Sequence, residues 1–252
     1  MEVHAHAHPA SGGTRKKWTH YLWEFLMLFL AVFAGFLAEN QREHIVEHQR
    51  EKQYMQSLLS DLAADTARYN SGIPLKEGRI DAIDSIFRFF HEHPDAKAIS
   101  GLLYRTFRRS QYDQRFTRNT ITINQLKNAG GMRLIRKKQV ADTISAYDFS
   151  CDNFDIYNEL YIINSSLANR YIETLENVKD LLPYFIVNTT GGMRDNIPDS
   201  IVVRINTTSL NEQLGFMMLQ KSYARQEINH FKDLRGRAIR LMELIKKEYH
   251  LD

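Results

Sequence analysis

Cysteine is almost missing from this chain: Cys151 stands alone among 252 residues, so no intramolecular disulfide framework can form. Proline and glycine are scarce, at 5 and 12. Strand-like sequence is confined to one short run at residues 201–205, IVVRI. These absences exclude a disulfide scaffold and argue against an α/β enzyme fold. An excess of one charge is missing as well. Lys and Arg number 33 against 30 Asp and Glu. Three of the basic residues (Arg15, Lys16, Lys17) and two of the acidic ones (Glu2, Glu24) precede residue 38, leaving 30 against 28 beyond it. A nearly neutral body lacks the broad basic surface of a general nucleic-acid binder, so no nucleic acid is expected as a partner. The familiar catalytic signatures are absent too: no P-loop, no dinucleotide glycine fingerprint and no G-x-S-x-G.

What is present begins with Tyr21–Ala38, YLWEFLMLFLAVFAGFLA, which carries one charge, Glu24, and no proline. At ~1.5 Å per residue the run is ~27 Å long, close to the thickness of a bilayer's hydrocarbon core. Trp18, Tyr21 and Trp23 cluster at one end, where amphipathic rings suit the headgroup level. Glu24 lies about one turn inside that end, so its carboxylate can reach the interface. The run therefore reads as a membrane-spanning helix. The competing reading, a cleaved signal with Arg15, Lys16 and Lys17 as its basic region, fits less well because the apolar run continues past Ala34. The contiguous basic triplet before the helix favours an inside amino terminus and an outside carboxy-terminal domain.

Helical periodicity governs the rest. The charged stretch after residue 38 continues the spanning helix, and a coiled-coil-like stripe sharpens at Met55, Leu59, Leu62, Thr66 and Tyr69. Asn70, Gly72 and Pro74 are expected to end it. A second helix fits Glu77–His93 around Ile80, Ile83, Phe87 and Phe90, and a third Ala98 to about Arg109. Thr122 with Gln125 reads as a capping box for a brief helix that stops at Asn128-Ala-Gly-Gly131. A fourth stripe runs through Val140, Ile144, Tyr147, Cys151, Phe154, Asn158, Tyr161, Ser165, Ala168, Ile172 and Leu175, ending at Leu182-Pro183. Ser209 with Glu212 is a second capping box, opening a last helix whose stripe runs from Leu214 to Tyr249. At ~1.5 Å per residue these last two helices are each ~60 Å long. The expected fold is all-α: a disordered basic tail at 1–17, a transmembrane helix at 18–38, and an elongated antiparallel helical bundle at 39–252.

Several clusters could carry chemistry. His44-Ile-Val-Glu47-His48 matches H-x-x-E-H, which sets two imidazoles one turn apart with a carboxylate to activate zinc-bound water. On a charged juxtamembrane helix with little around it, solvated side chains are the plainer reading, and no metal or other cofactor is expected. His4, His6 and His8 alternate in the tail, a composition that captures metal weakly. Residues 104–118 place Arg105, Arg108, Arg109, Arg115 and Arg118 among aromatics, a candidate anionic patch, or else arginines paired to acids of neighbouring helices. Cys151 lies on an apolar stripe and reads as a buried small hydrophobe.

The layout resembles a family of uncharacterised bacterial single-pass membrane proteins with a helical soluble domain. The resemblance rests on Glu24 opening the spanning helix, on Asn40-Gln41 after it, and on the Leu-rich Leu58-Leu59-Ser-Asp-Leu62. Its most specific part is Ile123-Asn-Gln-Leu-Lys-Asn-Ala-Gly-Gly-Met-Arg-Leu-Ile135. It covers residues 20–150 loosely. It implies a membrane anchor with a helical domain, and it carries no activity or site residues. With the basic triplet before the helix, the expected location is the bacterial inner membrane with the carboxy-terminal domain on the periplasmic side.

The leading expectation is a non-enzymatic scaffold or accessory subunit, embedded in the lipid bilayer and engaging a protein partner or a second copy. Glu24, His48 and Lys52 would serve that contact, since a polar seam beside the membrane could pair with another chain. The alternative is a single-pass sensor with an anionic-ligand site between helices, drawing on the polar steps Asn158, Ser165, Lys221 and Arg235. A zinc hydrolase at His44, Glu47 and His48 is the remote third.

Overall fold

The computed structural model describes residues 18–111, 113, 116–128, 130–168, 171–187, 193–195 and 197–251. The tail expected at 1–17, with His4, His6 and His8, lies outside them. The described chain is all-α apart from two small two-stranded sheets. Its elements are α1 (Trp18–Glu92), β1 (Ala98–Ser100), α2 (Gly101–Gln111), α3 (Ile121–Asn128), α4 (Lys138–Ala168), α5 (Val178–Leu181), β2 (Phe185–Val187), β3 (Met193–Asp195), β4 (Val202–Arg204) and α6 (Thr207–Tyr249). Two compact units divide the chain, Met1–Glu51 and Lys52–Asp252.

In the first unit, every described residue from Trp18 to Ile45 is exposed. A window of this helix reaches a mean hydropathy of 2.0, and by length and composition it can cross a membrane. Phe25, Phe29 and Phe33 stack along one side, with ring centroids 6.3 and 5.9 Å apart.

The second unit is a helical bundle. The helix expected to stop at Asn70–Pro74 does not stop: α1 runs through Pro74 to Glu92, absorbing the separate helix expected at Glu77–His93. Proline costs an interior helix about 3 kcal/mol and one hydrogen bond. Tertiary packing offsets this, because Tyr69 and Ile73 before Pro74 and Lys76, Arg79 and Ile83 after it are all buried, while Pro74 itself is exposed. Three cross-contacts set α1 antiparallel to α6: Arg235 with Asn70, Glu227 with Lys76, and Lys221 with Asp84. Tyr161–Tyr223 and Phe154–Phe231 set α4 antiparallel to α6.

Two apolar clusters form the core. One joins Met55–Ile73 of α1 to Ile123 and Leu126 of α3, Val140–Phe154 of α4 and Ile228–Tyr249 of α6. The other gathers Ile83 and Ile86 of α1 with Tyr104 and Phe107 of α2, Val203 of β4, and Leu210 and Met217 of α6. The β1–β4 pair, antiparallel with Ile99 opposite Val203, contributes both of those residues to the second cluster.

Helix ends depart from the capping boxes. Thr122 lies inside α3, and the orphan amides are met by one local and one distant acceptor: Ile121 N–H donates to Asn119 Oδ1 at 3.2 Å and Thr122 N–H to Asp61 Oδ2 at 3.1 Å. At α6 the cap is Asn206, not Ser209. Its extended backbone lets Oδ1 accept from the amides of Thr208 (3.0 Å) and Ser209 (3.4 Å). The fourth helix ends at Ala168, short of Leu182-Pro183. Leu175 instead bridges Ile205. At 31 and 43 residues, α4 and α6 measure ~46 and ~64 Å, so only the second matches the expected length. Gly130, at φ 67, makes the left-handed step after α3 that the Gly130-Gly131 pair promised.

Candidate functional site

Between the two apolar clusters the helix stripes turn polar. On α1 the buried series passes from Ile73 to Lys76 and Arg79 before Ile83; on α6 it passes from Met217 through Gln220 and Glu227 to Ile228. Lys76 and Arg79 are each 4% exposed and Glu227 2%. Such groups are tolerated in a core only when paired and hydrogen-bonded. Here they are. Lys76 Nζ lies 2.8 Å from both Glu227 oxygens and 2.5 Å from Asp113 Oδ1. Arg79 donates from Nε to the Ser110 carbonyl at 2.8 Å and from Nη1 to Asp113 Oδ2 at 2.6 Å. Two cations and two carboxylates balance. Burial raises the Glu227 pKa above the usual carboxylate range, with Lys76 pulling it back.

This layer floors a cavity of about 630 Å³, a size suited to a small organic molecule. Among the described residues its wall carries five cations, Arg68, Lys76, Arg79, Arg109 and Arg118, against one carboxylate, Asp113. Phe116 and Phe231, ring centroids 5.1 Å apart, add an aromatic surface. Gly72 is required here: a Cβ on it would come within 2.8 Å of the Phe231 ring.

The far side of the cavity is residues 116–121, which α1 fixes through two carboxylates. Asp65 accepts from the Asn119 amide at 2.9 Å, and Asp61 from the Asn119 side chain at 2.6 Å. Burial pushes the Asp65 carboxyl up to about 6. Next to them Arg118 bonds Asp148 (2.8 Å), Asp155 (3.0 Å) and Asp152, three acids on α4. Burial opposes ionisation of Asp148, but hydrogen bonds from Lys127 and Arg118 outweigh it and hold that pKa below the usual range.

The sequence-nominated residues scatter. Of the arginine patch, Arg109 and Arg118 reach the cavity. Arg105 is elsewhere, bonded to the Ile197 carbonyl and Asp199. Arg108 is half-buried on α2, and Arg115 lies outside the described residues. Of the four described, only Arg109 and Arg118 line the cavity. Among the polar steps, Lys221 pairs with Asp84, Arg235 donates to Asn70, Asn158 is half-buried, and the Ser165 side chain is outside the described set. Of the three whose side chains are described, none lines the cavity. Glu24 pairs with His20 at 3.2 Å; His48 lies 3.3 Å from the buried Glu51; Lys52 is exposed. His44 and His48 stand exposed on α1 with Glu47 half-buried, and no group of three metal-ligating side chains occurs among the described residues.

The chain matches no known family model, no curated protein and no solved structure. The site must speak through its own geometry. Lys76, Arg79, Asp113 and Glu227 are not legible as a group in the sequence, because Lys76 and Arg79 follow an expected stop at Pro74 that breaks the α1 stripe. A signal was there: continuing the α1 stripe past Tyr69 in steps of three and four reaches Ile73, Lys76, Arg79 (or Ile80) and Ile83. Cys151, buried among apolar neighbours with its thiol pushed up to about 11 by burial, is the inert hydrophobe expected.

Proposed function

We propose that this chain is a membrane-anchored helical protein whose bundle binds a small anionic molecule, in the manner of a single-pass ligand sensor. Helix α1 supplies the anchor through its apolar run, and the domain after it faces the periplasmic side of a bacterial inner membrane. One observation supports the binding role above all: a cavity of about 630 Å³ walled, among the described residues, by five cations and a single carboxylate. Arg109 forms no ion pair among the described residues, so it is a charge on the cavity wall still open to a ligand. Guanidinium forks and a buried ammonium recognise carboxylate or phosphate, and the two rings accept a flat apolar body.

The test uses full-length protein in mild detergent, titrated with acetate, benzoate and inorganic phosphate while thermal unfolding is followed. A ligand at 100 times its Kd adds about 2.7 kcal/mol to stability. At least one anion is expected to raise Tm, and Arg109→Gln to weaken that anion about fivefold or more. No shift with any of the three at millimolar concentration refutes the binding role.

The partner-engaging scaffold retains one supporting observation. Phe149, Ile156 and Leu160 recur at helical spacing on α4 and are 66%, 59% and 58% exposed. Co-purification of the tagged protein from its native membranes tests it: a stoichiometric second protein, lost on Ile156→Asp, is the outcome that favours a scaffold.

A further inference from the structure

The cavity holds a ready-made place for one carboxylate, and the chain's own Asp113 occupies it. Asp113 reaches Lys76 Nζ with Oδ1 (2.5 Å) and Arg79 Nη1 with Oδ2 (2.6 Å), so its two oxygens span two buried cations. Both cations are positioned by other bonds. Lys76 is held by Glu227 at 2.8 Å, and Arg79 by the Ser110 carbonyl at 2.8 Å. The subsite therefore does not need Asp113 to exist. It needs a negative charge: without one, Lys76 and Arg79 face Glu227 alone, leaving a buried cation uncompensated. Asp113 is the most accessible member, 25% exposed where Lys76, Arg79 and Glu227 are nearly sealed, and it has solvent to turn into.

We propose that the ligand is an aromatic carboxylic acid whose carboxylate replaces that of Asp113 between Lys76 and Arg79, making Asp113 an internal competitor for the site. The exchange is charge for charge, so the buried layer stays neutral throughout. The ring of the ligand then lies against Phe116 and Phe231, in a cavity that Leu75 and Ile121 also line. A carboxylate tethered to the protein acts at an effective concentration on the order of millimolar. An incoming acid must outcompete it, which sets a threshold concentration below which the site stays closed by its own side chain.

This rests on the anion-binding reading, and the experiment separates the two. Benzoate and acetate are titrated into full-length wild type and Asp113→Asn, with affinity read by calorimetry. Asp113→Asn keeps the size of the side chain and removes its charge. Benzoate is expected to bind Asp113→Asn at least ~10-fold more tightly than wild type and more tightly than acetate. Asp113→Glu, which keeps a carboxylate, should bind benzoate no more tightly than wild type. If Asp113→Asn is unfolded alone, recovery of its helical circular dichroism in benzoate reports the same filling of the subsite. Benzoate binding to wild type without a gain in Asp113→Asn overturns the competitor role and leaves the anion site standing. Equal affinity for acetate and benzoate overturns the aromatic class. Absence of benzoate and acetate binding to both proteins overturns this inference, and the anion-binding reading falls with it when inorganic phosphate also leaves Tm unchanged.

Discussion

Residues 21–38 and 55–86 belong to the same α-helix and follow opposite rules of burial. The first stretch exposes Leu, Phe, Val and Met on all sides; the second buries one face and takes Asp65, Lys76 and Arg79 inside with it. Backbone conformation is common to both, so conformation alone does not separate them. What separates them is the medium each requires. Exposed apolar side chains all round a helix need a non-aqueous solvent, the physical basis of the proposed anchor. Buried charges need partners built into the protein, and the second stretch finds them in α6 and in Asp113.

The largest expected effect attacks the second stretch. Lys76→Met removes one member of the buried layer and strands Glu227, which should cost about 3–5 kcal/mol. Thermal melting of the full chain in detergent reads it as a marked fall in Tm. Leu28→Arg attacks the first stretch instead. A centrally placed arginine costs about 2.5–3.5 kcal/mol of apparent insertion. Carbonate extraction of membranes should show more released protein, with the melting of the Lys52–Asp252 unit unchanged. If Leu28→Arg lowers that melting as far as Lys76→Met does, the two stretches are not distinct in the sense described.

A pH series sharpens the same contrast. Burial raises Asp65 to about 6 in the folded chain, against about 4 when unfolded. The folded state then holds the proton more tightly, so this group's contribution is full below about pH 4 and is lost as pH rises towards 6. Glu227 and Asp155 are raised by burial and act in the same direction. Asp65→Asn should flatten the fall of Tm between pH 4 and pH 6. The smallest effect is Asn206→Ala, which leaves two α6 amides without their cap and should cost about 1 kcal/mol by denaturant titration.

Legibility in the sequence followed the length of uniform pattern. The α4 stripe was readable from Val140 through Ile144, Tyr147, Cys151 and Phe154 to Tyr161 because apolar residues repeat with one polar step, Asn158, and each of the six named is buried. The end of α1 was misread because Asn70, Gly72 and Pro74 carry strong local stop signals. Long-range packing on both sides of Pro74 outweighed them. The caps failed for a related reason: Thr122 and Ser209 match a local motif, while Asp61 comes from 61 residues away and Asn206 from just upstream. The site was the least legible part. Arg109 and Arg118 stood out as arginines, but no spacing rule joins Lys76 to Glu227 across 151 residues.

The position of the charged layer, midway between two apolar clusters, also bears on how the helices index against one another. Apolar side chains tolerate sliding, since one leucine replaces another at similar depth. A slide of α6 along α1 by one turn, ~5.4 Å, would move Glu227 away from Lys76 either towards Ile73, where no cation waits, or towards Arg79, whose guanidinium is already engaged by the Ser110 carbonyl and Asp113. The layer acts as a tooth in a ratchet: it admits one alignment of α1 with α6 and makes its neighbours costly.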